Sequence, residues 1–142
     1  MIKSTEVYGN GVTGDVRILA EGEYRGLWYV AVSYISHPCC YVEIPKEYSD
    51  YDINNINCHG GPTYYEVGLP CLIEDLHNPE STYVGWDYAH CFDALWTPTF
   101  NRFTGSIKYD KIHTSEELEC DCKKVIDQIV ERRPLFWCIL QF

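Results

Sequence analysis

Asp15-Val16-Arg17-Ile18-Leu19-Ala20 and Leu27-Trp28-Tyr29-Val30-Ala31-Val32-Ser33-Tyr34-Ile35 decide the fold, with Tyr24-Arg25-Gly26 between them. Both runs are rich in β-branched and aromatic residues, which fit a pleated surface, and the glycine supplies a turn; together they predict a β-hairpin. Beyond it, Pro38 interrupts, and residues 40–44 alternate as another strand before Pro45. Residues 46–57 are polar and turn-rich, so a loop is expected. Residues 63–67 read as a strand, residues 74–81, with Asn78-Pro79, as a loop, and residues 82–87 as a second central strand.

Residues 94–113 carry Pro98, Gly105, Trp96, Phe100 and Phe103, the composition of a loop packed on the body. One helix follows. Thr114 is a good N-cap with Glu117 as its capping-box partner, and Leu118, Cys122, Val125, Ile126, Ile129 and Val130 recur at helical spacing. Glu116, Glu117 and Glu119 at its start and Arg132 and Arg133 at its end suit the helix dipole, and Pro134 is expected to end it. The apolar run at 135–140 reads as a buried terminal strand. The expected class is α+β: an antiparallel or mixed β-sheet with one long C-terminal helix packed on a face, in a single domain spanning residues 1–142.

At 142 residues the chain can bury a core without disulfide staples. Its formal charge of −10 repels a phosphate backbone, so direct nucleic-acid binding is not expected, whereas a partner with a basic surface suits it. The opening Met1-Ile2-Lys3-Ser4-Thr5-Glu6 has no signal-peptide pattern, and no stretch has the length of a membrane span. A cytoplasmic location, with the 8 cysteines kept as thiols, is therefore expected.

Two segments carry chemistry. Cys58-His59-Gly60-Gly61-Pro62-Thr63 and Gly85-Trp86-Asp87-Tyr88-Ala89-His90-Cys91-Phe92-Asp93 each bring a histidine to the end of an apolar or aromatic run beside further donor residues. Imidazole, thiolate and carboxylate are zinc ligands, and two separate segments can close one site. Asp87, His90 and Asp93 are three apart, so a wound segment puts them on one side. Cys39 lies near these segments by sequence, as do Cys40, Cys58 and Cys91. Plainer readings stand beside this: a turn histidine at 59, an Asp–His bond that closes a loop at 87–93, and cysteines that pack as small hydrophobes. Cys122 lies on the core stripe of the helix, Cys120 faces away, and His77 and His113 are expected to be solvated loop residues. No G-x-S-x-G, Walker loop, G-x-G-x-x-G or H-E-x-x-H occurs.

The runs His37-Pro38-Cys39-Cys40-Tyr41-Val42, Cys58-His59-Gly60-Gly61-Pro62-Thr63-Tyr64 and Gly85 to Asp93 resemble a family of small bacteriophage and prophage proteins with H-x-C-G-Y-V, H-G-G-x-T-Y and G-F-D-x-A-H-x-x-D motifs. The resemblance covers about residues 37–130. Cys40, Trp86 and Tyr88 depart from it, standing where that family has Gly, Phe and commonly Cys. It implies a phage origin, action inside the host cell, and a shared polar site of Cys39, His59, Asp87, His90 and Asp93. By its size and acidity the chain is also similar to zinc-containing anti-CRISPR proteins that block type II RNA-guided nucleases.

Three readings are open at the level of sequence. In the first, the chain is a zinc-binding inhibitor of a host defence protein that acts by protein contact. In the second, it is a metal-dependent hydrolase of a nucleotide or other small molecule, with His59, His90 and Asp93 holding the metal and Asp87 as general base. In the third, the polar cluster is metal-free and only ties loops together.

Overall fold

The computed structural model describes residues 7–9, 15–33, 37–88 and 113–134. Six strands, β1 (Val7–Gly9), β2 (Asp15–Tyr24), β3 (Leu27–Ser33), β4 (Pro38–Ile44), β5 (Tyr64–Val67) and β6 (Thr82–Asp87), form one antiparallel sheet in the order β1-β2-β3-β4-β6-β5. One helix, α1 (Ser115–Val130), packs on β2, β3 and β4. The architecture is α+β, as the sequence predicts. The expected terminal strand at 135–140 and most of the loop at 94–113 lie outside the described residues.

The β2–β3 hairpin turns at Arg25 and Gly26, both with positive φ (52° and 86°), which gives the tight turn whose twist matches its strands. A bulge in β2 makes Leu19 an extra residue between the pairs Ile18–Val32 and Ala20–Ala31. Val16 and Ile18 pack on the side away from α1, whereas Leu19 and Ala20 both join the helix-side core.

Both faces of the sheet are covered, so every residue of β3 is buried. On one face α1 lays Leu118, Cys122, Val125, Ile126 and Ile129 onto Tyr29, Ala31, Cys40, Val42, Val84 and Trp86. On the other, Leu69 and Ile73, from an irregular segment with one 3-10 turn (Cys71–Ile73), cover Trp28, Val30, Val32, Tyr41 and Tyr83. This second cover is pinned by polar contacts. Glu43 accepts a hydrogen bond from Ser81 (2.6 Å) and pairs with His77 (3.1 Å), and the His77 ring stacks on Trp28 with centroids 4.3 Å apart. His77 is thus a packed residue and not the solvated one the sequence suggests.

Two glycines are required by neighbouring tyrosines. A Cβ on Gly85 would lie 2.5 Å from the Tyr41 ring, and one on Gly22 would lie 2.7 Å from the Tyr29 hydroxyl. Tyr41 and Tyr64 both pair with Gly85 and meet edge to face, so two rings fill the space that the missing side chain leaves.

The α1 N-terminus carries the full capping box: Glu117 N–H donates to Thr114 Oγ1 (3.1 Å) and Thr114 N–H to Glu117 Oε1 (3.0 Å). Its C-terminus closes before Pro134. Arg132 takes a left-handed φ of 48°, with N–H bonds from Arg132 to Ile129 and from Arg133 to Gln128. That is a Schellman closure with arginine where glycine is usual. Arg132 and Arg133 therefore lie past the helix, not in its last turn. Among the described residues no helix is long and apolar enough to cross a membrane.

Candidate functional site

The segment before β5 is tied to α1 by one side chain. Gln128, buried on the helix, donates from Nε2 to the Asn57 carbonyl (2.9 Å) and accepts from the Asn57 N–H (2.7 Å). The carboxamide acts as a rung of β-ladder, and it fixes Cys58 and His59 at a cleft of about 320 Å³ against Asp121, Lys124 and Val125 of the helix.

Behind the cleft lies a polar network inside the helix-side core. Trp86 Nε1 donates to the Tyr88 hydroxyl (2.9 Å), which donates to Asp121 Oδ2 (2.7 Å). The Cys40 thiol reaches the same hydroxyl at 3.9 Å and lies beside Cys122. His59 stacks on Tyr88 with ring centroids 4.6 Å apart, and His113 meets both rings, at 5.2 Å from His59 and 4.5 Å from Tyr88. His113 is 7% exposed, so it is a packed residue and not a solvated one. Every buried side-chain nitrogen and oxygen described has a hydrogen-bond partner.

The thiols here are held neutral. Burial, with Cys40 and Asp121 adding to it, pushes Cys58 up to about 12. Burial and Cys122 push Cys40 well above its ordinary value, and burial raises the Tyr88 hydroxyl in the same direction. A neutral thiol is a poor nucleophile, so burial works against nucleophilic chemistry at Cys58 and Cys40.

The five residues singled out by sequence are distributed as follows. Cys39 and Asp87 are paired across β4 and β6 on the side away from α1. Asp87 accepts from Thr63 Oγ1 at 3.3 Å, and burial together with Asp87 raises the Cys39 thiol to about 12. His59 is on the helix side, against Tyr88. The sheet register thus brings Cys39 and Asp87 together. His90 and Asp93 lie outside the described residues, as does Cys91. A single zinc ion needs its donors at about 2.0–2.3 Å in a tetrahedron. Among the described residues no group of three or more His, Cys, Asp or Glu side chains is placed to hold a metal, and two of the five, His90 and Asp93, lie outside them.

Gln128, His113, Asp121 and Lys124 are site residues that the sequence did not disclose. The one available signal was Gln128 itself, a polar residue beside the apolar stripe of α1. Compared with models of known families, with curated proteins and with solved structures, the chain matches none.

Proposed function

We propose that this chain works by protein contact, as an inhibitor that occupies a basic surface of a host protein. The observation that carries the proposal is the distribution of charge. Between Lys46 and Arg102 the chain has nine acidic residues and no lysine or arginine, leaving twelve acids against eleven bases elsewhere. The excess of −10 is therefore concentrated in one stretch. Its described acids face solvent, apart from half-buried Asp87. A concentrated field of one sign steers a partner of the opposite sign and repels nucleic acid. Burial raises the Cys58 thiol at the cleft, which favours binding over cysteine chemistry.

The partner class implied by the resemblance is a type II RNA-guided nuclease, whose nucleic-acid channel is basic. Zinc stays part of the proposal through Cys39, His59, Asp87, His90 and Asp93, and no step of the contact mechanism depends on it. The hydrolase reading rests on His90 and Asp93 and gains nothing from the described geometry.

The test is a titration of guide-loaded nuclease with the chain, with target-DNA cleavage and direct association both followed. The expected result is inhibition, with affinity falling steeply as salt rises, because screening weakens attraction between exposed charges. Association that is indifferent to salt, or no association with the nuclease or other basic host proteins, would overturn the proposal.

A further inference from the structure

The strand β5 ends the sheet among the described residues. The Gly68 N–H bonds the Ser81 carbonyl at 2.8 Å, which makes 68 and 81 a hydrogen-bonded pair and fixes the alternation along β5. Glu66–Tyr83 and Tyr64–Gly85 then also bond toward β6, and the backbone N–H and C=O groups of Tyr65 and Val67 point to the outer edge. The side chains of these two residues share one face, and at 45% and 68% exposed they are the large hydrophobics that the described surface shows to solvent. Sheet edges are usually blunted by lysine, proline or a bulge. Here the strand is Tyr-Tyr-Glu-Val in regular register with no lysine or proline, and the bulge-like step in which Thr63 N–H also bonds the Gly85 carbonyl (2.9 Å) lies before it, leaving Tyr65 to Val67 unblunted.

The geometry points to β5 as a strand-addition site for an extended basic segment of another protein. This rests on the reading that the chain acts by contact with a basic partner, and it names the surface that makes the contact. Main-chain bonds to Tyr65 and Val67 supply the affinity, and the side chains opposite supply the choice of sequence. Glu66 decides the occupant. It is exposed, and it occupies a pair position whose backbone groups point inward, where facing side chains across the outer edge come closest, with Cα atoms about 4.5 Å apart. A second copy of the chain pairing antiparallel about this residue puts Glu66 opposite Glu66, and like charges directly opposite are destabilising. A lysine or arginine there gives the favourable pair. The preferred segment therefore reads apolar–basic–apolar, with its apolar residues beside Tyr65 and Val67. Glu80, exposed and adjacent to Ser81 at the end of β5, adds charge of the same sign.

The experiment uses the full chain labelled with ¹⁵N and, as probe, a short synthetic peptide alternating Lys and Val, capped at both ends. The expected result is saturable binding, with the Tyr65 and Val67 amides shifting and becoming protected from exchange with water. Val67→Pro removes one outward N–H and is expected to weaken binding at least about tenfold. Glu66→Lys, on an exposed side chain, checks the charge term without touching the backbone and is expected to weaken it comparably. Thermal melts of both variants confirm that the sheet is intact. Peptide binding that leaves those amides exchanging and is unaffected by both variants would overturn the edge site while leaving the contact reading in place. No peptide binding would overturn the edge site as well, and the nuclease titration would then decide the contact reading on its own. Protection of both amides before peptide is added, with a dimer in sedimentation, would assign the edge to a second copy and overturn the basic-segment proposal.

Discussion

The two faces of the sheet are covered by different means. On one side a sixteen-residue helix with a continuous apolar stripe presses onto β2, β3 and β4. On the other a segment without regular structure, running from Leu69 to Ser81, is held by Glu43, by His77 stacked on Trp28 and by Leu69 and Ile73. The helix satisfies its own backbone and docks by side-chain burial, with polar ties from Asp121, Asp127 and Gln128. The irregular segment is tied by a few short-range bonds of its own, Ile73 N–H to the Pro70 carbonyl and Leu76 N–H to the Ile73 carbonyl, and by the Tyr83 hydroxyl, which donates to the Asn78 carbonyl. The first face should therefore respond to mutation as a rigid, closely packed core, and the second as a cover that partly collapses around a loss.

The largest expected effect tests that contrast directly. Trp86, 1% exposed under α1, should lose about 3–5 kcal/mol on Trp86→Ala, the usual range for a buried aromatic. Ile73→Ala, also fully buried but under the irregular cover, should lie near the lower end of its class, about 2 kcal/mol. Urea denaturation of both variants gives the two values, and equal losses would show that the covers are equally rigid.

Next comes Gly85→Ala. The added methyl would meet the Tyr41 ring at 2.5 Å in a strand held on both sides by β4 and β5. A loss of about 1–3 kcal/mol is expected, the range for overpacking. The double variant Gly85→Ala, Tyr41→Leu should recover part of it, and a neutral single variant would show that the tyrosine moves freely.

At neutral pH the smallest effect is that of the thiols, which show themselves as a pH dependence that both faces share. Cys39 on one side and Cys58 on the other are each raised to about 12, chiefly by burial. A folded value above the unfolded one means that their contribution is fully present below the ordinary thiol range, about 8.5, and is lost as pH rises through the folded value. Stability should therefore decline between about pH 8.5 and 12. Cys39→Ala and Cys58→Ala, followed by urea midpoints across that range, should each flatten the decline. In the native chain at mildly alkaline pH, a thiol reagent should label exposed Cys71 and Cys120 before Cys39, Cys40 and Cys122. Peptide mapping gives the order, and early labelling of Cys39 would contradict its burial.

Legibility in the sequence followed the same division. The helix could be placed to the residue at its start because Thr114 and Glu117 form a local motif, and its buried face follows from spacing alone. Its end could not be read from Pro134, since an arginine in the left-handed region stops it first. His77 and His113 read as solvated because a histidine in a polar stretch shows nothing of the rings packed against it from Trp28 and Tyr88. Cys39 and Cys40 are neighbours in sequence but not in the fold. In a strand, successive side chains alternate between faces, so a one-residue offset places Cys39 and Cys40 in separate cores.

The sequence by itself determined the strands β2 to β6, the hairpin turn, the capped helix and an acidic stretch without a basic residue, because each depends on local periodicity, turn chemistry or simple charge; the short β1 carries no such pattern. Only the tertiary structure decided which side of the sheet Cys39 and Cys40 occupy, that Gln128 holds the segment bearing His59 against the helix, and that β5 ends the sheet among the described residues. Those are matters of register and strand order, set by pairing between residues far apart in the chain, and no local pattern encodes them.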